Sequence, residues 1–369
     1  MKPCPEIDFI VAGGARYGMG HVMRSGTLAA AAVQRGWRVR VFLGGDRVAQ
    51  ESWAASCPDS EVHAWSAWRS STSAALTLFD HPFAKSRWID ACHRDRTRAI
   101  VLDDVRAIGR ARLTINPALH HMPLDLDGNP EDENPEDDPA SLTLRGPRYA
   151  ILANAHRETP HRPLAERNTL LLSLGGADPL AATPRIAPIL VETLGSLGTL
   201  HGFQVLRVVL GPAFRDPDDR IGRELASAGW LVERGLEPAA MARRMADARL
   251  AVIGFGTSLS ELAWHGTPHL SITHHALDEP WARRLEERGI GLWLGTADAL
   301  HATFASARVD RALRDLAWQR ESARRAFDAI EGGRGCERIL DRLAMIACEI
   351  PTPRRRSGLG QDGRRAPLA

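Results

Sequence analysis

The chain has 369 residues, of which 44% are hydrophobic and 25% charged, and this is enough apolar material for two domains of ordinary size. Its formal net charge of +2 argues against a strong electrostatic attraction to nucleic acid or to a membrane surface. The five cysteines are odd in number and include no Cys-x-x-Cys pair, so neither a disulfide framework nor a zinc site is expected.

Two further absences in the sequence bear on where the protein works. The N-terminus lacks a basic stretch followed by an apolar one, so no signal peptide is predicted. No apolar run reaches the roughly 18 residues that a membrane-spanning helix needs. We therefore expect a cytoplasmic protein without a transmembrane segment.

Strands and helices alternate in the first part of the chain, which is typical of a parallel sheet covered by helices. Residues 60–95 have no clear pattern. The predicted elements are strands at Phe9–Ala12, Trp37–Leu43 and Ala99–Leu102, and helices at Ser25–Arg35 and Arg47–Ala54.

An acidic segment then interrupts this alternation. Residues Asp125 to Asp138 include eight carboxylates and two prolines. Such a composition favours a solvated surface loop over a metal site, and no metal site is predicted anywhere in the chain.

A second alternating α/β unit follows from about residue 165, and the chain ends in a helix and a basic tail. The predicted strands are Thr169–Leu174, Val205–Leu210, Leu250–Ile253 and His269–Thr273, and the predicted helices are Arg185–Leu197, Met241–Ala248, Ser260–His265, Arg311–Asp328 and Gly335–Cys348. The sequence thus predicts an α/β fold with two tandem Rossmann-like, doubly wound domains, spanning residues 1–160 and 165–330. A C-terminal helix over 331–348 and a disordered tail over 349–369 complete the chain, and a cleft between the domains is a common place for a ligand.

The glycine-rich stretch Gly13–Arg24 follows the first strand and precedes the first helix. Glycines at 18 and 20 let backbone N–H groups approach a ligand, and the helix directs its positive end to the same place. His21 can act as a general base near neutral pH, with Gly18, Gly20 and Arg24 shaping its loop. The alternative is a glycine turn that serves only tight strand-to-helix packing.

Two acidic residues, Asp103 and Asp104, end the strand Ala99–Leu102. Ligands of parallel sheets bind beyond the carboxyl ends of the strands, so these carboxylates could orient His21 or a sugar hydroxyl. A plain role at the end of the strand remains the alternative.

Four motifs in order carry a resemblance to a known family: Gly18 to Arg24, Leu174 to Pro179, Gly256 to Leu262 followed by Gly266-Thr267-Pro268, and Gly332 to Ile339. Together they resemble the UDP-sugar hydrolases of pseudaminic acid biosynthesis and the related spore-coat polysaccharide proteins. These in turn resemble glycosyltransferases of the GT-B fold, including the one that makes lipid II. The resemblance spans about residues 8 to 348, and the segment Gly146–Leu152 looks like the approach to the interdomain linker of that family.

The resemblance implies that a UDP-sugar binds in the interdomain cleft without a metal or cofactor, with the nucleotide on the second domain. The diphosphate would meet backbone N–H and hydroxyl groups of Gly254, Gly256, Thr257 and Ser258. Glu261 would accept hydrogen bonds from the ribose, unless it serves only as a carboxylate at a helix N-terminus. The first turn of the second domain would line the cleft with Gly175, Gly176 and Asp178.

The same resemblance makes His21 the base that deprotonates a water, which attacks the anomeric carbon as UDP leaves. The predicted function is therefore hydrolysis of a UDP-activated amino or deoxy sugar in surface polysaccharide or nonulosonic acid biosynthesis. Two alternatives stay open, a glycosyltransferase that passes the sugar to an acceptor and a nucleotide-sugar binding protein without catalysis.

The chain departs from the family pattern at two places. An Asn-Gln pair is common after the strand that follows the Gly-x-Pro turn, whereas this chain has Asp278-Glu279, which would have to bind sugar hydroxyls. The segment after Leu152 lacks the usual arginine and the glutamate–aromatic pair. His274 and His275 are further polar candidates in the cleft, with a surface role as the alternative.

Overall fold

A computed structural model describes residues 5–68, 74–81, 98–103, 111–121, 143–196 and 202–349 of the chain. The acidic segment at 125–138, Asp104 and the tail beyond residue 349 lie outside these ranges.

The first domain is built on a seven-stranded sheet in the order β3-β2-β1-β4-β5-β6-β7, with every pair of neighbours parallel. Its strands are β1 (Glu6–Gly13), β2 (Arg38–Gly45), β3 (Glu61–Ala64), β4 (Leu76–Asp80), β5 (Ala99–Leu102), β6 (Leu113–Asn116) and β7 (Thr143–Arg145). Its described helices are α1 (Gly20–Gln34) and α2 (Arg47–Ser56). Strands β1, β4 and β5 are almost wholly buried, which matches their predominantly apolar sequences.

The second domain has a six-stranded parallel sheet in the order β10-β9-β8-β11-β12-β13. Its strands are β8 (Thr169–Ser173), β9 (Val205–Leu210), β10 (Leu231–Arg234), β11 (Ala248–Gly254), β12 (His269–Thr273) and β13 (Leu292–Thr296). The helices from the linker onward are α3 (Asn154–Glu158), α4 (Thr183–Ser196), α5 (Arg220–Ser227), α6 (Pro238–Asp247), α7 (Ser258–Trp264), α8 (Glu279–Glu287), α9 (Ala302–Arg314), α10 (Leu316–Ala329) and α11 (Gly335–Glu349).

The two sheets confirm the predicted pair of doubly wound α/β domains. One helix prediction was wrong, because the expected helix over 311–328 is two helices, α9 and α10. Asp315 separates them, and its carboxylate accepts a hydrogen bond from the Trp318 backbone N–H at 2.8 Å, so this residue begins a new helix.

The last helix, α11, returns to the first domain after the second domain is complete. Cys336, Ile339, Leu340, Leu343 and Ile346 are buried in the same cluster as the apolar residues of β1 and α1. The chain therefore crosses between the domains twice, once on either side of the second domain.

Candidate active site

Both sheets reverse their strand order beside their first strand, and this decides where a ligand fits. The reversal lies between β1 and β4 in the first domain and between β8 and β11 in the second. A crevice forms at such a point, beyond the carboxyl ends of the strands. The loops after these four strands carry most of the residues that the sequence singled out.

The glycine loop after β1 is held rigidly. Gly14 and Gly18 exchange two backbone hydrogen bonds, at 3.2 and 2.8 Å. The carboxylate of Asp46 accepts from the backbone N–H groups of Ala15 at 2.8 Å and Ala49 at 3.1 Å, so it joins the loop to the start of α2. A Cβ at Gly14 would lie 2.4 Å from that carboxylate, which explains the glycine.

His21, in the first turn of α1, contacts a buried carboxylate that sequence reasoning missed. Its Nδ1 lies 2.7 Å from Oδ1 of Asp80, the last residue of β4. Nδ1 also lies 2.8 Å from Nη2 of Arg24, which can only donate. The Asp80 contact therefore favours the imidazole proton on Nδ1 with Nε2 as the basic atom, whereas the Arg24 contact favours the opposite tautomer. Asp80 is fully buried, whereas His21 keeps 19% of its side chain exposed. The pair is therefore a buried carboxylate beside a partly exposed imidazole.

Arg24 binds the same buried carboxylate and links it to Asp103. Its Nε and Nη2 donate to Oδ2 and Oδ1 of Asp80 at 2.8 and 2.6 Å, and its Nη1 donates to Asp103. Burial by itself raises the pKa of Asp80, but the charges and hydrogen bonds of Arg24 and His21 outweigh it and hold that pKa well below its usual range. Ser25 adds a hydrogen bond to Oδ2 at 2.8 Å. Asp80 is thus a fixed negative charge.

Asp103, the partner of Arg24, has a left-handed backbone conformation with φ of +59°. Its backbone N–H donates to the Ile115 carbonyl at 2.7 Å, which holds it at the end of β5. The structure thus places Asp103 on Arg24, while Asp104 lies outside the described residues.

The second domain contacts the glycine loop of the first domain. A Cβ at Gly176 would lie 2.4 Å from the Cβ of Met19, so the two glycine loops touch. Arg24 and Asp103 line one cavity together with Gly256 and Thr257 of the second domain. The candidate residues after β1 and β5 are therefore brought together with those after β11.

The turn from β11 into α7 leaves backbone donors for a ligand. Phe255 donates to the Ile272 carbonyl at 2.9 Å and Leu259 to the Gly256 carbonyl at 3.2 Å. Among the described residues, no backbone hydrogen bond uses the N–H groups at 256, 257 and 258. Gly254 is close-packed, since a Cβ there would lie 2.9 Å from Nε2 of His274.

Glu261 points toward the linker end of the crevice. Its Oε1 lies 3.6 Å from Nε2 of His156 on α3, and Nδ1 of His156 is 3.1 Å from Nε2 of His265. Burial, followed by the neighbouring histidines and Arg167, lowers the pKa of His265 to about 3, so that ring is neutral.

Asp178 has a structural task at the start of α4. Its two carboxylate oxygens accept from the backbone N–H groups of Ala182 and Thr183, at 2.9 and 2.8 Å, and it has a φ of +41°. Gly175, with φ of +86°, and Gly176 form the turn before it. The turn lines the crevice through its backbone, while the Asp178 carboxylate caps the helix.

Asp278 and Glu279 differ in their surroundings. Burial raises the pKa of Asp278, and the nearby His275 and His274 act against that rise. Its charge also interacts with Asp103 of the first domain, so Asp278 lies on the crevice. Glu279 instead pairs with Arg283 of its own helix at 2.8 Å.

The signal for Asp80 was present in the sequence. The apolar run Leu76–Phe79 ends in an acid, as the run before Asp103 does. The sequence does not predict the strand β4 because the residues around it, from 60 to 95, show no periodicity.

Two facing domains of this kind, each with its crevice at the point where strand order reverses, have the GT-B fold of glycosyltransferases. The calicheamicin glycosyltransferase CalG4 is 19% identical with a TM-score of 0.60, covering 94% of this chain and 99% of that one. MurG of Acinetobacter baumannii is 11% identical with a TM-score of 0.59, covering 92% and 99%. A putative UDP-N-acetylglucosamine 2-epimerase of Listeria monocytogenes is 11% identical with a TM-score of 0.58, covering 95% and 98%.

These likenesses show the fold alone. No family model matches the sequence, and no curated protein is significantly similar to it. No helix among the described residues is long and apolar enough to cross a membrane.

Proposed function

We propose that the chain is an enzyme that transfers a sugar from a UDP-sugar to an acceptor hydroxyl in the crevice between its domains. The observation that supports this most is the pairing of His21 with the buried Asp80, whose partner Arg24 lines one cavity with Gly256 and Thr257. The name of the structural neighbour CalG4, a calicheamicin glycosyltransferase, favours transfer over other chemistry of nucleotide sugars.

In this proposal His21 is the general base. Nε2 takes the proton of the acceptor hydroxyl, the oxygen forms a bond to the anomeric carbon, and the bond from that carbon to the diphosphate breaks. UDP leaves with the electron pair, and its charge is met by the N–H groups at 256–258. The reaction uses the tautomer with the proton on Nδ1, which the hydrogen bond to Asp80 favours, so that Nε2 is the base.

Hydrolysis of the same donor is a second candidate, favoured by the four ordered motifs around Gly18, Gly175, Gly256 and Gly335. The two differ only in whether water or another hydroxyl attacks. A panel of UDP-amino sugars, assayed for UDP release without any acceptor, separates them. UDP release that is as fast without an acceptor as with one would support hydrolysis. UDP release that depends on an added acceptor would support transfer.

The base is tested by His21→Asn. We expect turnover to fall by about 10²–10⁴-fold, because general-base catalysis contributes that much, while UDP binding measured by calorimetry is kept. His301→Asn, at an exposed position before α9, is the matched control and should turn over normally. Near-full activity of the His21 variant would reject the catalytic assignment.

A further inference from the structure

A second cavity between the domains lies beside the glycine loop but does not include His21, Arg24 or Asp80. Its volume is about 400 Å³. Arg16 lines it from the first domain, while Phe214 and Arg215, which follow β9, line it from the second. The cavity therefore receives one arginine from each domain.

These two arginines have no carboxylate partner among the described residues. The Arg16 guanidinium lies near the Tyr17 ring, with 5.3 Å from Cζ to the ring centroid. By contrast, Arg220 of the second domain is paired with Glu224 at 2.7 Å. Two unpaired cations facing one cavity make it a place of positive potential.

The one acid that lines this cavity is already engaged. Both oxygens of Asp178 accept hydrogen bonds from the backbone at the start of α4. Its charge offsets one of the two arginines at most. The cavity therefore keeps an excess of positive charge, supplied from both of its walls.

We propose that this cavity binds a phosphate or diphosphate group held between Arg16 and Arg215. Guanidinium groups donate in a planar fork that matches phosphate oxygens, and two of them would neutralise a dianion. A volume of about 400 Å³ leaves room for a group attached to that phosphate. Because the arginines belong to different domains, the bound anion would bridge the crevice.

The source of the phosphate is either the donor's diphosphate or an acceptor that carries a phosphate. This identity rests on the proposed sugar transfer, whereas anion binding at the two arginines does not. The probe is therefore inorganic pyrophosphate, measured by calorimetry on the full chain.

We expect Arg16→Gln and Arg215→Gln each to weaken pyrophosphate binding by about tenfold or more, since each removes a charge-assisted contact. The double variant should lose less than the sum of the two free-energy changes, because both side chains hold one ligand. Arg220→Gln, an exposed arginine outside the cavity, is the control and should bind as the unmodified chain does. The melting temperature of each variant shows that it remains folded.

The measurement is then repeated with saturating UDP. Competition between UDP and pyrophosphate, sensitive to both arginines, assigns the site to the donor's diphosphate and would replace its placement at the N–H groups of 256–258. Simultaneous binding assigns the site to an acceptor phosphate. An affinity for pyrophosphate that neither substitution changes, or no pyrophosphate binding at millimolar concentration, would overturn the proposal. Arginine-dependent binding in a protein that turns over no UDP-sugar would reject the transfer function and leave the anion site standing.

Discussion

At the scale of single residues, the positions of the carboxylates in the crevice depend on the hydrogen bonds that the Arg24 guanidinium donates. It holds Asp80 through two hydrogen bonds and Asp103 through a third, in a place where only 8% of its side chain is exposed. A buried guanidinium needs such partners, because an unpaired charge away from water is costly. His21 then meets a carboxylate that is already fixed in position.

Asp80→Asn tests this orienting role. The amide can donate to Nδ1, which would stabilise the wrong tautomer of His21, and we expect turnover to fall by about 10²–10⁴-fold with UDP binding kept. Asp8→Asn is the matched control, since Asp8 is equally buried and paired with Arg40 at 2.7 Å, but at the amino end of β1. Equal losses of turnover in both variants would mean that the effect is one of stability alone.

At the scale of elements, the two glycine loops meet at a close contact between Gly176 and Met19. Gly176 lies against Met19, which is itself buried with Ala177 and Ala213 of the second domain. This contact places the start of α1 opposite the turn that follows β8. The spacing of the crevice therefore depends on the absence of a side chain at one position.

Gly176→Ala would bring a Cβ to 2.4 Å from the Cβ of Met19 and force the loops apart. We expect kcat/KM for the UDP-sugar to fall by about tenfold or more, since a small misplacement of reacting groups is costly. Adding Met19→Gly removes the clashing atoms and should restore much of the loss.

Gly195→Ala, in α4 with nothing within 4 Å of its added Cβ, is the control and should leave activity unchanged. A Gly176→Ala variant with full activity would show that the loops separate without consequence.

At the scale of the whole molecule, α11 ties the end of the described chain to its beginning. Leu343 is fully buried within the first-domain core, and Arg35 at the end of α1 pairs with Asp341 at 2.6 Å. The first domain is thus completed by residues that follow the second domain in sequence.

Leu343→Ala should lower the free energy of unfolding by about 2–5 kcal/mol, because it removes a buried side chain and leaves a cavity. Met345→Ala, on the same helix but with Met345 52% exposed, should change it by less than about 1 kcal/mol. Denaturant unfolding followed by circular dichroism measures both. Similar effects of the two substitutions would contradict the docking of α11.

Local sequence was sufficient for most elements of the two sheets. Strands β1, β8 and β11 each contain a short apolar run that leads into glycine, and this pattern depends only on neighbouring residues. The order of these elements predicted two doubly wound domains with ligand loops at the carboxyl edges. It also predicted that His21 would lie on one of those loops.

Tertiary structure decided which side chains meet. Asp80 is 59 residues from His21 in the chain, and their hydrogen bond exists because β4 pairs with β1 in the parallel sheet. Arg24 and Asp103 are 79 residues apart and meet because β1, β4 and β5 are neighbours in the same sheet. Sequence determines periodicity and turn chemistry over a few residues, whereas contacts over long separations depend on strand order, which only the packed sheets fix.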